Sequence, residues 1–246
     1  MAKREHIEDT KKITLPSGIS AEIQEITGAA EKILTTDPGA SLNKKVNKFI
    51  LKALVSLDDK PLPENPGEAY DLILNMKTGD RNYLLMKIRM ATYGDEVVFN
   101  YKCPNCGKTA GYLLNLRERL DDGTLKIHPF RKDTPLKIET SAGIAEVDYM
   151  TCRREQWLNE QKEVDPINLV MAFCTSFDGK APDYKTFENL YARDLNKIRL
   201  AGTGLKGGLE PNIELDCLKC GTSYKASLFS IQDFFTPLTT PESIGL

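Results

Sequence analysis

Four of the six cysteines stand in two short pairs with the pattern Cys-x-x-Cys-Gly. The first pair is Cys103 and Cys106, the second is Cys217 and Cys220, and alternating apolar residues typical of a strand precede each pair. The glycine after each pair permits the positive φ of a knuckle, in which backbone N–H groups face the sulfur atoms. A closed structural zinc site takes four ligands, and each pair supplies two. The sequence therefore predicts one structural Zn2+ ion that all four cysteines bind together.

Two other kinds of cysteine chemistry fit the sequence less well. A redox-active pair at each Cys-x-x-Cys is disfavoured because no βαβ pattern surrounds either one. A catalytic zinc ion needs an open position for water, and four thiolates leave none. Of the remaining cysteines, Cys174 lies in an apolar run and is expected to be buried, whereas Cys152 has no partner near it in the sequence. Only two histidines are present to activate a thiol, so we assign neither cysteine a catalytic role.

The composition is that of an ordinary globular protein. The chain has 246 residues, 41% of them hydrophobic and 28% charged, and a formal net charge of −2. A general phosphate-binding surface would need a basic excess, so this charge argues against broad nucleic-acid binding. No apolar run approaches the length of a membrane span, and the first residues lack the apolar region of a signal peptide. We therefore expect a reducing compartment, where paired cysteines favour metal over disulfide.

Patterns in the first half predict the elements that position the first cysteine pair. These are a β-hairpin over 13–23, a short helix over 27–34, a helix over 41–57, and two helices over 67–76 and 80–93, the last ended by Gly94. The helix over 41–57 has the clearest apolar face, which comprises Val46, Phe49, Ile50, Ala53, Leu54 and Leu57. Its lysines lie mostly off that face, and we interpret them as its solvated side.

The second half repeats short segments of the first in the same order. The matched segments are 21–23 with 145–147, 56–60 with 176–180, 87–91 with 197–201, and the first cysteine pair with the second. Their separations are 124, 120, 110 and 114 positions, and they change only between elements, as differences in loop length would make them. Coincidence among common residues is the alternative. The ordered matches favour an internal duplication in which the zinc ion clasps the two copies together.

The sequence therefore predicts an α+β fold of two pseudo-symmetric repeats. Each repeat comprises a β-hairpin, a helical segment and a zinc-knuckle strand, and a shared four-cysteine site of the zinc-ribbon type joins them. The predicted parts are a flexible tail over 1–12, repeat 1 over 13–116, linker strands over 117–136, repeat 2 over 137–230 and a C-terminal tail over 231–246. In the last part, Phe234 and Phe235 provide either a final core contact or an exposed anchor for another subunit.

Three segments of the first half resemble the T4-type phage baseplate proteins, a family that includes baseplate hub assembly chaperones. They are the hairpin Leu15-Pro16-Ser17-Gly18, the segment Arg-Met-Ala-Thr-Tyr-Gly at 89–94, and the strand that carries the first cysteine pair. The resemblance covers about residues 13–116. It implies a structural or assembly role in a contractile phage tail, with tail or baseplate hub proteins as partners. The implied location is the virion tail, or the host cytoplasm during assembly.

The alternative function is that of a nucleic-acid-binding or transcription-related zinc ribbon. Such ribbons carry basic and aromatic residues beside the knuckle. The residues of these types near the two pairs are Lys102, Lys108, Lys219, Lys225, Tyr101, Tyr112 and Tyr224. The sequence contains no Gly-rich phosphate loop, no Gly-x-Ser-x-Gly and no histidine-containing metal cluster. We therefore expect a protein that is not an enzyme and that takes no small-molecule substrate and no membrane as a partner.

Overall fold

The structure is a computed structural model that describes residues 10–36, 39–161, 163 and 165–229. Helices and strands are mixed, as an α+β fold requires. The helices are α1 (Gly28–Thr35), α2 (Leu42–Ala53), α3 (Pro66–Asn75), α4 (Thr78–Tyr93), α5 (Leu116–Asp121), α6 (Cys152–Asn159), α7 (Pro166–Phe173), α8 (Tyr184–Glu188) and α9 (Ala192–Gly204). The strands are β1 (Lys11–Thr14), β2 (Ser20–Ile23), β3 (Leu54–Leu57), β4 (Lys60–Pro61), β5 (Glu96–Lys102), β6 (Thr109–Asn115), β7 (Ile127–His128), β8 (Leu136–Thr140), β9 (Gly143–Val147), β10 (Cys174–Phe177), β11 (Gly208–Leu209), β12 (Asn212–Asp216) and β13 (Ser223–Ser227).

The first half begins with an antiparallel sheet in the order β1-β2-β3-β4. Alternating burial along β2 places Ala21 and Ile23 in the core, as the predicted hairpin requires. Glu22 lies opposite Ser56 of β3, and the Ser56 hydroxyl donates to the Glu22 carboxylate over 3.3 Å. The β2–β3 register shifts by one residue next to this pair, which marks a β-bulge.

The second half contains a sheet in the order β10-β9-β8 with the same local arrangement. Glu146 lies opposite Ser176, and the Ser176 hydroxyl donates to the Glu146 carboxylate over 2.8 Å. A register shift again lies next to this pair. The turn after β3 holds Asp58 and Asp59 at positive φ, and the turn after β10 holds Asp178 there.

Helix α2 ends four residues before the predicted boundary. Its apolar face is buried as predicted at Val46, Phe49, Ile50 and Ala53. The chain then changes to strand at Leu54, because residues 54–57 pair with β2 instead of continuing the helix. The prediction that Leu54 and Leu57 belong to the helix is wrong. Both lie in β3, where the sheet supplies hydrogen bonds that the helical pattern could not reveal.

A buried aspartate connects each hairpin to a later helix. In the first half, Asp80 in the first turn of α4 accepts a hydrogen bond from the backbone N–H of Ser17 over 3.0 Å. In the second half, Asp194 in the first turn of α9 accepts from the backbone N–H of Ser141 over the same distance. Each carboxylate therefore fixes the tip of a hairpin against the start of a helix.

The starts of these two helices, at residues 78 and 192, are separated by 114 positions, as are the two cysteine pairs. The sequence match of 87–91 with 197–201 used a separation of 110. It is therefore out of register with the helix starts by four residues, which is about one turn of helix.

The segment between the halves differs from the prediction of linker strands over 117–136. It contains helix α5, whose first turn is capped by Asn115, and the short strand β7, which pairs with β11. The signal for this helix was present as Asn115 followed three residues later by Glu118. The first strand begins at Lys11, inside the predicted tail over 1–12. Phe234 and Phe235 lie outside the described residues.

The two halves share a core. One cluster of buried residues extends from the first sheet through α2 and α4 to both C-terminal hairpins, β5–β6 and β12–β13. A second cluster lies between the β8–β10 sheet and helices α7, α8 and α9. The hairpin β12–β13 thus packs with the first half, although it belongs to the second half in sequence. Among the described residues, no helix has the length and apolar character needed to cross a bilayer.

The helices of the first half (α1–α4) and those of the second half (α6–α9) form two helical bodies, and α6 makes the main helix–helix contact between them. It packs against α2, α3 and α4 of the first half. The backbone N–H of Cys152 donates to Met76 O, and the N–H of Thr78 donates to Met150 O, each over 2.9 Å. An ion pair between the buried Arg81 of α4 and the half-buried Glu155 of α6 lies beside this backbone contact. Burial lowers the pKa of Arg81, but the Glu155 carboxylate holds it above the usual value for arginine.

Candidate metal centre

The two cysteine pairs occupy identical turns at the tips of the hairpins β5–β6 and β12–β13. In the first turn, Cys103 N donates to Lys108 O over 2.9 Å and Gly107 N donates to Cys103 O over 2.9 Å. Gly107 has a φ of 68°, which its missing side chain permits. These bonds close the turn so that both thiols of the pair face the same side.

The second turn repeats this pattern. Cys217 N donates to Thr222 O over 3.0 Å, and Gly221 N donates to Cys217 O over 2.8 Å. Gly221 has a φ of 73°. Both turns therefore have the knuckle geometry that the sequence predicts.

The two knuckles face each other and bring four sulfur atoms together. The ligand atoms of Cys103, Cys106, Cys217 and Cys220 all lie within 4.8 Å of one another. Cys103 Sγ lies 3.8 Å from Cys220 Sγ, and Cys106 Sγ lies 3.8 Å from Cys217 Sγ. A tetrahedral zinc ion with Zn–S bonds of about 2.3 Å sets its sulfur atoms about 3.8 Å apart. The four cysteines could therefore hold one metal ion, and their spacing suits zinc.

Nearby donors divide the sulfur atoms into more and less acidic thiols. The backbone N–H of Lys219 lies 3.4 Å from Cys217 Sγ and lowers the pKa of that thiol. The hydroxyl and the backbone N–H of Thr222 lower the pKa of Cys220 to about 6. Cys220 is therefore largely a thiolate near neutral pH, and the Cys217 thiol is more acidic than an ordinary cysteine.

The pKa of the Cys106 thiol shifts in the opposite direction, upward. The backbone N–H of Lys108 lowers its pKa, but burial and the neighbouring sulfur atoms outweigh this effect and raise the pKa to about 11. A bound cation would favour the deprotonated form of all four ligands.

Three tyrosines support the knuckles from between the hairpins. The rings of Tyr101 and Tyr224 are stacked with centroids 5.2 Å apart. The Tyr224 hydroxyl donates to the Tyr112 hydroxyl over 2.7 Å, and Tyr112 donates in turn to Asp216 O over 3.1 Å. Tyr112 and Tyr224 are buried, so their rings do not offer a surface on which nucleic-acid bases could stack.

The remaining residues near the knuckles have different surroundings. Asn105 Nδ2 donates to Thr222 Oγ1 over 3.0 Å and joins the two turns directly, a contact that no sequence signal indicated. The nearby lysines, which are Lys102, Lys108, Lys219 and Lys225, are exposed. The sequence places the tyrosines near the cysteine pairs, but their inward packing, which holds the two hairpins together, has no signal in the sequence.

The other two cysteines lie apart from this cluster. Cys174 at the start of β10 is buried, as predicted from its apolar run, and burial raises its pKa to about 12. Cys152 is fully buried at the start of α6, and burial raises its pKa to about 12 although the Arg81 cation nearby lowers it. Both therefore remain thiols near neutral pH and serve as packing side chains.

Comparisons with known proteins give one positive finding. Searches of curated proteins and of solved structures find no match to this chain. A family model described as T4 bacteriophage base plate protein matches residues 6–140, which is more than half of the chain. The matched region includes the first sheet, helices α1 to α4 and the hairpin that carries the first cysteine pair. The chain belongs to the T4 bacteriophage base plate protein family.

Proposed function

We propose that this protein is a structural or assembly component of the hub region of a contractile phage tail baseplate, where it acts through contacts with other tail proteins. The family match carries this proposal. The protein would be located in the virion tail, or in the host cytoplasm during assembly. It would act by presenting rigid surfaces, without catalytic turnover, because the four clustered thiols leave no open position for a substrate on a metal they all bind.

We also propose that the cluster binds one structural Zn2+ ion through Cys103, Cys106, Cys217 and Cys220. Closed sites of four cysteines are typical of structural zinc, which can stabilise a fold by on the order of 10 kcal/mol. Two ligands come from each hairpin, so the ion would join hairpins that are far apart in the sequence. The tyrosine contacts between the hairpins support such a clasp.

The chain is further proposed to be an internal duplication, with repeat 1 over 13–116, a linker over 117–136 and repeat 2 over 137–230. Its support is the order of elements in each half: hairpin, short helix, helix, strand, two helices, knuckle hairpin. The Glu22–Ser56 and Glu146–Ser176 pairs add to it, since each lies beside a bulge at the same point of its sheet.

The zinc-ribbon alternative, nucleic-acid binding, receives less support. Exposed lysines surround the knuckles, but two of the three tyrosines are buried and the formal net charge is −2. A titration with single- and double-stranded DNA and RNA at rising salt tests this alternative. Tight binding that weakens steeply with salt would favour it over the baseplate role.

The proposed function can be tested by metal analysis and co-expression. Protein purified without added metal should contain about one zinc ion per chain. Co-expression with tagged hub proteins of the same phage should yield a stable complex that survives gel filtration, and a tagged tail-tube protein serves as the control. Protein that is free of metal, fully folded and insensitive to chelator would contradict the metal proposal. Failure to bind any baseplate protein would contradict the assembly role.

A further inference from the structure

The contact between the two helical bodies is not symmetric. Helix α6 of the second half covers α2, α3 and α4 of the first half. If the halves are repeats, as proposed above, the counterpart of α6 is α1 and the counterparts of α2, α3 and α4 are α7, α8 and α9. A symmetric pair would place α1 against α7, α8 and α9. Helix α1 packs on α2 of its own half, as α6 packs on α7 of its own, but α6 also makes the contact across the halves.

Part of α9 is exposed where the matched part of α4 is buried, when residues of the two helices are compared at a separation of 114 positions. Four positions of α4 are buried, two of them against Gly207 and Glu155 of the second half, whereas the matched positions of α9 are half-buried or exposed. The buried residues are Gly79, Arg81, Leu85 and Met86, and their counterparts in the same order are Arg193, Leu195, Arg199 and Leu200. Leu200 is 62% exposed, although leucine favours the interior.

An apolar cavity of about 250 Å³ lies on this face between α7 and α9. Its lining includes Val170 of α7 and Leu195 and Arg199 of α9. Tyr191, just before α9, is 64% exposed, and the guanidinium of Arg193 lies 5.1 Å from the centre of its ring. The face thus combines apolar surface with two exposed arginines, which suits a helix that carries an acidic residue.

The contacts of α6 show which side of a matched helix would dock. The Glu155 carboxylate pairs with Arg81, and Arg153 pairs with Asp71 of α3 over 2.8 Å. At a separation of 124 positions, the counterparts of Arg153 and Glu155 are Ala29 and Glu31 in α1. Gly28 and Ala29 are exposed and have small side chains, so this side of α1 permits close approach.

We infer that the α7–α9 face binds helix α1 of a second copy of this chain, in a head-to-tail contact that repeats the one α6 makes within the chain. Among the residues that the structure describes, both surfaces of such a contact are uncovered. A heterologous contact of this kind closes into a ring or extends as a filament. Leu195 stands where the first half has Arg81, and it carries no charge. We therefore assign the pairing with Glu31 to Arg199, which lies about one helical turn further along α9 and lines the same cavity.

Charge reversal tests this inference through the Glu31–Arg199 pair. Wild-type protein should show a molar mass that rises with concentration in analytical ultracentrifugation. Glu31→Arg and Arg199→Glu should each raise the concentration needed for assembly by about tenfold or more, because each places like charges opposite one another. Glu214→Arg, at an exposed position on β12, is the matched control and should assemble like wild type.

Mixing the two variants gives the sharpest outcome. In an equimolar mixture of Glu31→Arg and Arg199→Glu chains, every contact between unlike chains joins opposite charges, so assembly should return. Restoration on mixing requires a head-to-tail contact through these two faces. Wild-type protein that stays monomeric at all concentrations, or variants that assemble unchanged, would overturn the inference.

The same samples separate this inference from the proposed function on which it rests. Zinc content and thermal unfolding, measured on dilute protein, report the clasp within one chain. Monomeric protein with one zinc ion per chain would refute the head-to-tail contact and leave the proposed function intact. Protein that assembles but contains no zinc would contradict the zinc clasp of the proposed function and leave the head-to-tail contact intact.

Discussion

The Sγ atoms of Cys103 and Cys220 lie 3.8 Å apart, although 117 positions separate these residues in the chain. Cys106 and Cys217 make the matching contact at the same distance. The first cysteine of each knuckle therefore faces the second cysteine of the other, as in a two-fold arrangement. The helical bodies do not follow this arrangement, because α6 covers the first half, whereas Arg199 and Leu200 on the matched face of the second half are exposed among the described residues. The two hairpins thus meet symmetrically and the two bodies meet asymmetrically.

The shared cluster predicts that either knuckle controls the stability of both halves. Cys103→Ser and Cys217→Ser should each abolish stoichiometric zinc binding and lower the Tm by about 10 °C or more, since each leaves an incomplete ligand set. Hydrogen exchange should rise in β2 and in β9 for both variants. Cys174→Ala should keep its zinc, because its thiol lies outside the cluster. Loss of protection in only one half would show that the knuckles act independently.

The ion pair between Arg81 and Glu155 should stabilise the contact between the bodies. Glu155→Ala leaves the buried Arg81 guanidinium without its carboxylate, which costs about 3 kcal/mol. Urea unfolding measures this loss. The matched control is Arg153→Ala on the same helix, which breaks the exposed pair with Asp71 and should cost less than about 1 kcal/mol. Equal losses for the two variants would mean that burial does not set the strength of the Arg81 pair.

Close backbone packing should make Gly79 intolerant of any side chain. A methyl group at this position in α4 would overlap the carbonyl group of Gly207, so one of the two backbones must move. Gly79→Ala should therefore lower the free energy of unfolding by about 1–3 kcal/mol. Gly204 near the end of α9 has open space around it, and Gly204→Ala should leave stability unchanged or raise it by up to about 1 kcal/mol. Thermal or urea unfolding of both variants checks the difference.

Sequence patterns identified the features that depend on local chemistry. The knuckles, the buried face of α2 and the Gly94 helix end follow from cysteine spacing, apolar periodicity and glycine geometry, and the structure contains all three. The predicted end of α2 was wrong because Leu54 fits both the apolar face of a helix and the strand that follows the helix. Only pairing with β2, a contact distant in sequence, decides between them.

Features that depend on contacts between the halves could not be predicted. The inward packing of Tyr101, Tyr112 and Tyr224 requires the two hairpins to face each other, which spacing alone does not fix. The burial of Arg81 likewise depends on α6, because a charged residue in a helix is normally expected to be exposed. The match between 87–91 and 197–201 placed similar residues one helical turn out of register, since helices repeat charged and apolar positions at that interval.

The two hairpin-binding aspartates should respond to pH in opposite directions. Hydrogen bonds from the Ser141 hydroxyl and backbone N–H, together with the Lys197 ammonium group, lower the pKa of Asp194. Its stabilising contribution is therefore complete above the pKa of an unfolded aspartate, about 3.9, and is lost as the pH falls through the lower folded value. Desolvation raises the pKa of Asp80, although Ser17 and Lys77 oppose this effect. Ionised Asp80 therefore reduces stability at neutral pH, and this penalty disappears as acid protonates it.

Thermal unfolding of Asp194→Asn and Asp80→Asn between pH 7 and pH 3 should show these opposite trends. The Tm deficit of Asp194→Asn relative to wild type should be largest at pH 7 and shrink in acid, because the wild type loses the advantage of its carboxylate. The deficit of Asp80→Asn should be smallest at pH 7 and grow in acid, because only the wild type is relieved of a buried charge. Comparison with wild type at each pH cancels the pH dependence of metal binding, which all three proteins share. Parallel trends for the two variants would show that their different surroundings do not control the two carboxylates.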